Sequence, residues 1–144
     1  MIYLDSSVVF SVHGRDVHTV AAVALLRSAN EPLALTQLCE VEFVNALCLR
    51  QFRREISQTQ VQASIADLEQ NIRRGVYRLL SIPDSAFTRA KILAQTLTLA
   101  IGVRAADLLH VSAAMELGAS CLFTFDQKQH RTAQAAGLAV NPLS

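Results

Sequence analysis

Apolar and polar residues alternate along this chain in short blocks, and their spacing predicts strands and helices in turn. Ile2 to Leu4 is a brief apolar run that stops at Asp5-Ser6-Ser7, after which apolar residues resume at Val8, Val9, Phe10 and Val12. That order spells a strand, an acid with two hydroxyls, and a helix. Asp16 to Ser28 carries Val17, Val20, Val23 or Ala24 and Leu25 in a helical stripe, which Asn30-Glu31-Pro32 breaks. Leu33 to Leu35 predicts a second strand. Thr36 stands where the long helix from Gln37 to Glu55 needs a cap, and a further helix from Ser57 to Arg74 is stopped by Gly75. Val76 to Ile82 predicts a third strand, and Pro83-Asp84-Ser85 opens a helix that reaches Ala100.

In the last third, Ala105 to Leu117 has Leu108, Val111 and Met115 at helical spacing, with Gly118 where a left-handed stop belongs. Cys121 to Phe125 is short, uninterrupted and apolar, as expected of a strand covered on both faces, and Asp126 is the first residue beyond it. Gln127 to Ala136 predicts a last helix stopped by Gly137, and Leu138 to Val140 a fifth strand. Strands alternating with helices, without repeats, predict one domain over residues 1–144: a three-layer α/β/α sandwich on a five-stranded parallel sheet.

Composition narrows the class further. A chain of 144 residues with 51% hydrophobic content can build one core. No apolar run approaches the roughly 18 residues of a membrane span, and Met1 to Asp5 does not begin a signal peptide. The expectation is a cytoplasmic protein without membrane association. Cys39, Cys48 and Cys121 lack CxxC spacing and fall inside apolar elements, so they are expected as buried reduced thiols. No glycine-rich phosphate loop follows a strand, which sets aside nucleotide-binding NTPases and dinucleotide enzymes.

The acids change the picture most. Asp5 and Asp126 both follow strands, and right-handed crossovers place all strand carboxyl ends on one edge of the sheet, where ligands bind. Asp107 heads the helix before the fourth strand, and Glu42 lies within the helix after the second, so both are able to lean over that rim. Like charges about 4 Å apart repel by roughly 4 kcal/mol at an effective dielectric of about 20. Such a cluster needs a cation or must bind protons. Oxygen ligands favour Mg²⁺ or Mn²⁺, which can activate water for phosphodiester cleavage. With four acids set aside for a site, the rest of the molecule carries +5, much of it in Arg50, Arg53, Arg54, Arg73, Arg74 and Arg78. Arginine forks suit phosphate, though solvated helix faces would look the same.

Four motifs in order resemble a known family: Asp5-Ser6-Ser7 after the first strand, Thr36 with Glu42 six residues on and Asn45-Ala46-Leu47 behind it, Arg104-Ala105-Ala106-Asp107-Leu108-Leu109-His110, and Leu122-Phe123-Thr124-Phe125-Asp126. Together they resemble the PIN-domain ribonucleases, and among them the VapC-type toxins of toxin–antitoxin modules. The resemblance implies Asp5, Glu42, Asp107 and Asp126 as the metal-holding acids, with Ser6 and Thr124 as supporting hydroxyls. It also implies an Mg²⁺- or Mn²⁺-dependent endoribonuclease, an RNA substrate, a cognate antitoxin and a homodimer. The chain departs from the family pattern at Ser7, where asparagine is common, and at Gln127 to His130, where an aromatic is common.

Each of these residues has a plainer reading beside it. Asp5 is also a natural helix cap, Asp107 a first-turn acid facing the helix dipole, and Asp126 a turn residue. Periodicity does not choose between Glu40 and Glu42; the spacing from Thr36 favours Glu42. His110 reads as a packed or surface histidine, with contact to substrate phosphate as its functional alternative. Arg104 could meet RNA or pair with Glu116 or another acid, and Lys128 could touch phosphate or simply face solvent. Two other functions fit parts of the pattern. A receiver-like signalling module also binds Mg²⁺ at this edge, but wants an acidic pair after the first strand and a lysine after the fifth. A non-catalytic RNA- or protein-binding relative would keep the fold without needing all four acids.

Overall fold

Strands β1 (Ile2–Leu4), β2 (Leu33–Thr36), β3 (Tyr77–Leu80) and β4 (Cys121–Phe123) form one parallel sheet in the computed structural model, which describes residues 1–142. Their order is β3-β2-β1-β4, with Ile2 opposite both Leu33 and Cys121. The helices are α1 (Ser6–Phe10), continued by a π-helical turn over Ser11–Arg15, then α2 (Thr19–Ser28), α3 (Gln37–Phe52), α4 (Gln58–Arg73), α5 (Asp84–Ile101), α6 (Ala105–Glu116) and α7 (Gln127–Ala135).

Alternation along the strands builds the layers. Ile2 and Leu4 of β1 and Phe123 of β4 face one core, filled by Val8 and Val9 of α1, Cys39, Phe43 and Leu47 of α3, and Val61 and Leu68 of α4. Tyr3 and Leu122 face the other, filled from α5, α6 and α7 by Leu93, Leu108, Val111 and Ala133. The chain thus winds from β1 outward to β3 under one helical layer, then returns to the far side of β1 under the other. Strand order reverses between β1 and β4, and the crevice outside their carboxyl ends is the switch point where such sheets bind ligands. The order also differs from the 2-1-3-4-5 sheet of receiver modules.

The expected fifth strand is reduced to one bridge, Leu122 to Val140. Around it, Leu122 N–H donates to the Ala139 carbonyl at 2.8 Å and Asn141 N–H to the Leu122 carbonyl at 3.2 Å. Pairing stops there because Asn141 turns its side-chain oxygen to Thr124 N–H at 2.7 Å, and Pro142 has no N–H to extend a ladder. The fourth strand also ends earlier than expected, at Phe123. Thr124 N–H is taken by Asn141 and Phe125 N–H by Ser7 Oγ at 2.8 Å, so neither can pair with a strand. Asp126 is therefore the third residue past the strand.

Helix α2 begins at Thr19, later than its apolar stripe suggested. Asp16 N–H donates to Thr19 Oγ1 at 2.9 Å and His18 N–H to Asp16 Oδ1 at 2.8 Å, closing a turn first. Gly118, with φ of 70°, ends α6 as its position predicted. Cys39 is buried, but Cys121 is only partly covered and Cys48 is exposed, so the expectation of three buried thiols is corrected; all three are free. Among the described residues, no helix is long and apolar enough to cross a membrane.

Candidate active site

Asp5 leaves β1 directly and is 2% exposed. Its Oδ1 accepts from Val8 N–H at 3.1 Å and from Ser7 Oγ at 2.7 Å, while Oδ2 accepts from Thr124 Oγ1 at 2.8 Å. It caps α1 and sits at the carboxyl edge of the sheet at once. Burial raises its pKa, although His110 and these hydrogen bonds oppose the shift. Thr124 joins two acids: its hydroxyl donates to Asp5 and accepts Asp126 N–H at 3.0 Å. Asp126 in turn caps α7 by accepting Gln129 N–H at 2.8 Å.

Asp107 occupies the first turn of α6, reaching back to Arg104 N–H at 3.4 Å and lying 3.5 Å from the Arg104 guanidinium. Burial and then the charge of Asp126 push its carboxyl upward, with Arg104 working against them. Arg104 does not pair with Glu116, which is taken by Arg89. Lys128 donates to the Gly102 carbonyl at 3.2 Å and lines a small depression with Arg104, Gln127 and Asp126.

Glu42 faces the crevice from α3, beside Ser6, and its carboxylate lies 2.5 Å from Nε2 of His110. Burial works against its charge, but His110, Ser6 and Arg104 hold its carboxyl below the usual range. Glu40 lines a different groove on α3 with Val41 and Cys48. His110 is a packed histidine, 1% exposed, yet it is tied to the acidic rim. Its Nδ1 is 2.9 Å from the Tyr3 hydroxyl, which lies 3.0 Å from Thr36 Oγ1. Thr36 holds the cap position of α3 without a capping hydrogen bond from its side chain, because its hydroxyl is spent on Tyr3.

The crevice holds a cavity of about 350 Å³ lined by Ser6, Ser7, His18, Glu42, Phe125 and Asp126. Sequence reasoning passed over Tyr3, Ser7, His18, Phe125 and Asn141. Only Ser7 carried a signal, as the second hydroxyl after Asp5; the others become neighbours through the fold alone.

Fold and crevice define an α/β protein with carboxylates along the switch point of a doubly wound parallel sheet. The chain belongs to the PIN-domain family, whose pattern it matches over residues 2–135. No curated protein sequence matches it significantly. Among solved structures it is similar to the sarcin–ricin loop cleaving toxin VapC20 of Mycobacterium tuberculosis, at 17% identity and a TM-score of 0.72, over 99% of this chain and 100% of that one. It is also similar to FitAcB of Neisseria gonorrhoeae, at 20% identity and a TM-score of 0.67 over 99% and 97% of the two chains. VapBC2 of Rickettsia felis, bound to a DNA fragment from its promoter, matches at 18% identity and a TM-score of 0.67 over 98% of each chain. These likenesses establish the shared fold.

The four expected acids are not drawn into one coordination set. Among the described residues, no three His, Cys, Asp or Glu side chains converge on a common metal position. Glu42 is turned to His110, and Asp5 is enclosed by its three donors. The remaining two, Asp107 and Asp126, are oxygen donors of the kind a hard divalent ion takes. Mg²⁺ is commonly held by one or two carboxylates together with waters and substrate phosphate.

Proposed function

We propose that the chain is an Mg²⁺- or Mn²⁺-dependent endoribonuclease, acting as the toxin of a toxin–antitoxin pair. The observation that carries this reading is the Thr124 hydroxyl, which joins the buried Asp5 carboxylate to the Asp126 backbone at the sheet's switch point, with Glu42 and Asp126 lining the crevice beside them. Asp107 and Asp126 would hold the ion, with Glu42 and Asp5 at its margin. When bound, the ion would supply water activation and charge neutralisation at the scissile phosphate.

The chain's own groups have separable tasks. Thr124 and Ser7 fix the Asp5 carboxylate, and Thr124 also fixes the backbone at Asp126. His110 sets the direction of the Glu42 carboxylate. Arg104 and Lys128 lie on the same rim and offer positive charge to an RNA backbone.

Family membership supports nuclease chemistry, and the likeness to VapC20 and VapBC2 supports a toxin with a cognate antitoxin. Exposed apolar side chains on α3, Val41 at 65% and Phe52 at 83%, suit burial by such a partner or by a second copy in a homodimer. The reading places the protein in the cytoplasm, where its RNA would be.

The test is cleavage of total RNA with added Mg²⁺ or Mn²⁺ by wild type and Asp5→Ala. Cleavage by wild type alone is expected. Equal cleavage by both removes the assignment, and metal-independent RNA binding without cleavage favours the non-catalytic relative.

A further inference from the structure

Beside the carboxylates stands a pair of aromatic rings that the proposed chemistry does not use. His18 and Phe125 are stacked, with ring centroids 5.0 Å apart and planes at 15°. Both line the crevice with Ser6, Glu42 and Asp126. They come from loops remote in sequence, and each loop is fixed by side chains that capture its backbone.

On one loop, Thr124 N–H goes to Asn141, Phe125 N–H to Ser7 Oγ and Asp126 N–H to Thr124 Oγ1, so three consecutive donors are held. Ser7 is also the hydroxyl that holds Asp5, which fixes Phe125 relative to that carboxylate. On the other loop, Asp16 accepts His18 N–H at 2.8 Å and the Ser11 hydroxyl at 3.0 Å, while Thr19 accepts Asp16 N–H.

Packing accounts for Phe125, which leans on the core beneath α1. It does not account for His18. That residue is exposed, occupies the cap position of α2 without a side-chain capping bond, and its ring makes no hydrogen bond among the described residues. An exposed planar ring held flat on another, at the mouth of an acidic cavity, offers one free face.

We propose that His18, backed by Phe125, is a stacking platform for one unpaired nucleobase of the RNA next to the phosphate that is cut. Every base has a π-face, so such a platform binds single strands with little base preference and positions the chain through one nucleotide. The proposal rests on the nuclease reading above and adds where the strand is gripped and that it must be unpaired there.

The experiment uses short single-stranded oligoribonucleotides carrying 2-aminopurine at each position in turn, with Ca²⁺ in place of Mg²⁺. Stacking on an aromatic ring quenches this fluorophore. Wild type is expected to quench one position. His18→Ala should lose that quench and bind about tenfold more weakly, and His18→Tyr should restore both. An abasic nucleotide at that position should weaken wild type by a similar factor and His18→Ala no further. Because His18 is exposed, the three proteins should melt alike, so lost binding would not be lost folding. A wild type that binds and cuts RNA without quenching any position overturns the platform alone, as does His18→Ala or His18→Tyr outside this order. A wild type that neither binds nor cuts RNA overturns the nuclease reading with it.

Discussion

Two buried histidines keep the same company in different places. His110 lies between the Tyr3 hydroxyl at 2.9 Å and Glu42 at 2.5 Å, and His13 lies between the Tyr77 hydroxyl at 2.9 Å and Asp67 at 2.5 Å. Each histidine meets its tyrosine edge-on, with interplanar angles of 68° and 88°. Burial raises both phenols, that of Tyr77 to about 12. Position separates them. Tyr3, His110 and Glu42 end on the crevice at the carboxyl edge of the sheet, beside Asp5. Tyr77, at the amino end of β3, joins His13 and Asp67 in tying the π-helical turn to α4. The same hydrogen-bonded trio is thus a candidate part of a site in one location and a structural clasp in the other, and what decides is topology.

The comparison breaks most decisively if acids near the first trio are dispensable or those of the second are not. Asp107→Asn should lower RNA cleavage by about 10²-fold or more, since it removes a proposed ion ligand. Asp67→Asn should leave the cleavage of folded protein unchanged, as measured by single-turnover rates at saturating enzyme.

A smaller effect separates the histidines themselves. His110→Ala should slow cleavage about 10- to 100-fold, as expected for a residue that orients a site carboxylate, whereas His13→Ala should not slow it. Both should lose roughly 1–3 kcal/mol of stability by leaving a buried hydroxyl and a carboxylate unpartnered, which urea titration would show. Equal activity losses would erase the distinction.

The smallest effect is thermal. The folded pKa of Asp107 is raised above its ordinary 3.8, so the native state keeps a proton that the unfolded chain has released. Its contribution to stability therefore falls as pH rises from 3.8 through the folded value. Asp107→Asn mimics the neutral form, and should raise the melting temperature at pH 7, a gain that fades near pH 4. A melting temperature that drops at pH 7 would mean that the carboxylate is structural.

The fold was legible because its period-2 and helical stripes follow burial directly, as in Ile2 to Leu4 and Leu108 to Met115. The fifth strand was not, because its apolar residues looked like any edge strand, while the side chain of Asn141 and the missing N–H of Pro142 set its end. Asp5, Asp107 and Asp126 were readable as acids at element ends. The His110–Glu42 contact was hidden, since it spans 68 residues and periodicity assigned His110 only to a packed face. His18 stood in what looked like a continuous helix from Asp16, and only the side-chain-closed turn frees its ring to meet Phe125.

Calorimetric titration of Mn²⁺ into wild type and Asp107→Asn, without RNA, addresses the proposed ion site directly. Wild type should bind the ion, and free ion at ten times its Kd should stabilise the fold by about 1.4 kcal/mol, with both effects lost in Asp107→Asn. Indistinguishable titrations of the two proteins, or no binding by wild type at millimolar ion, would contradict the account.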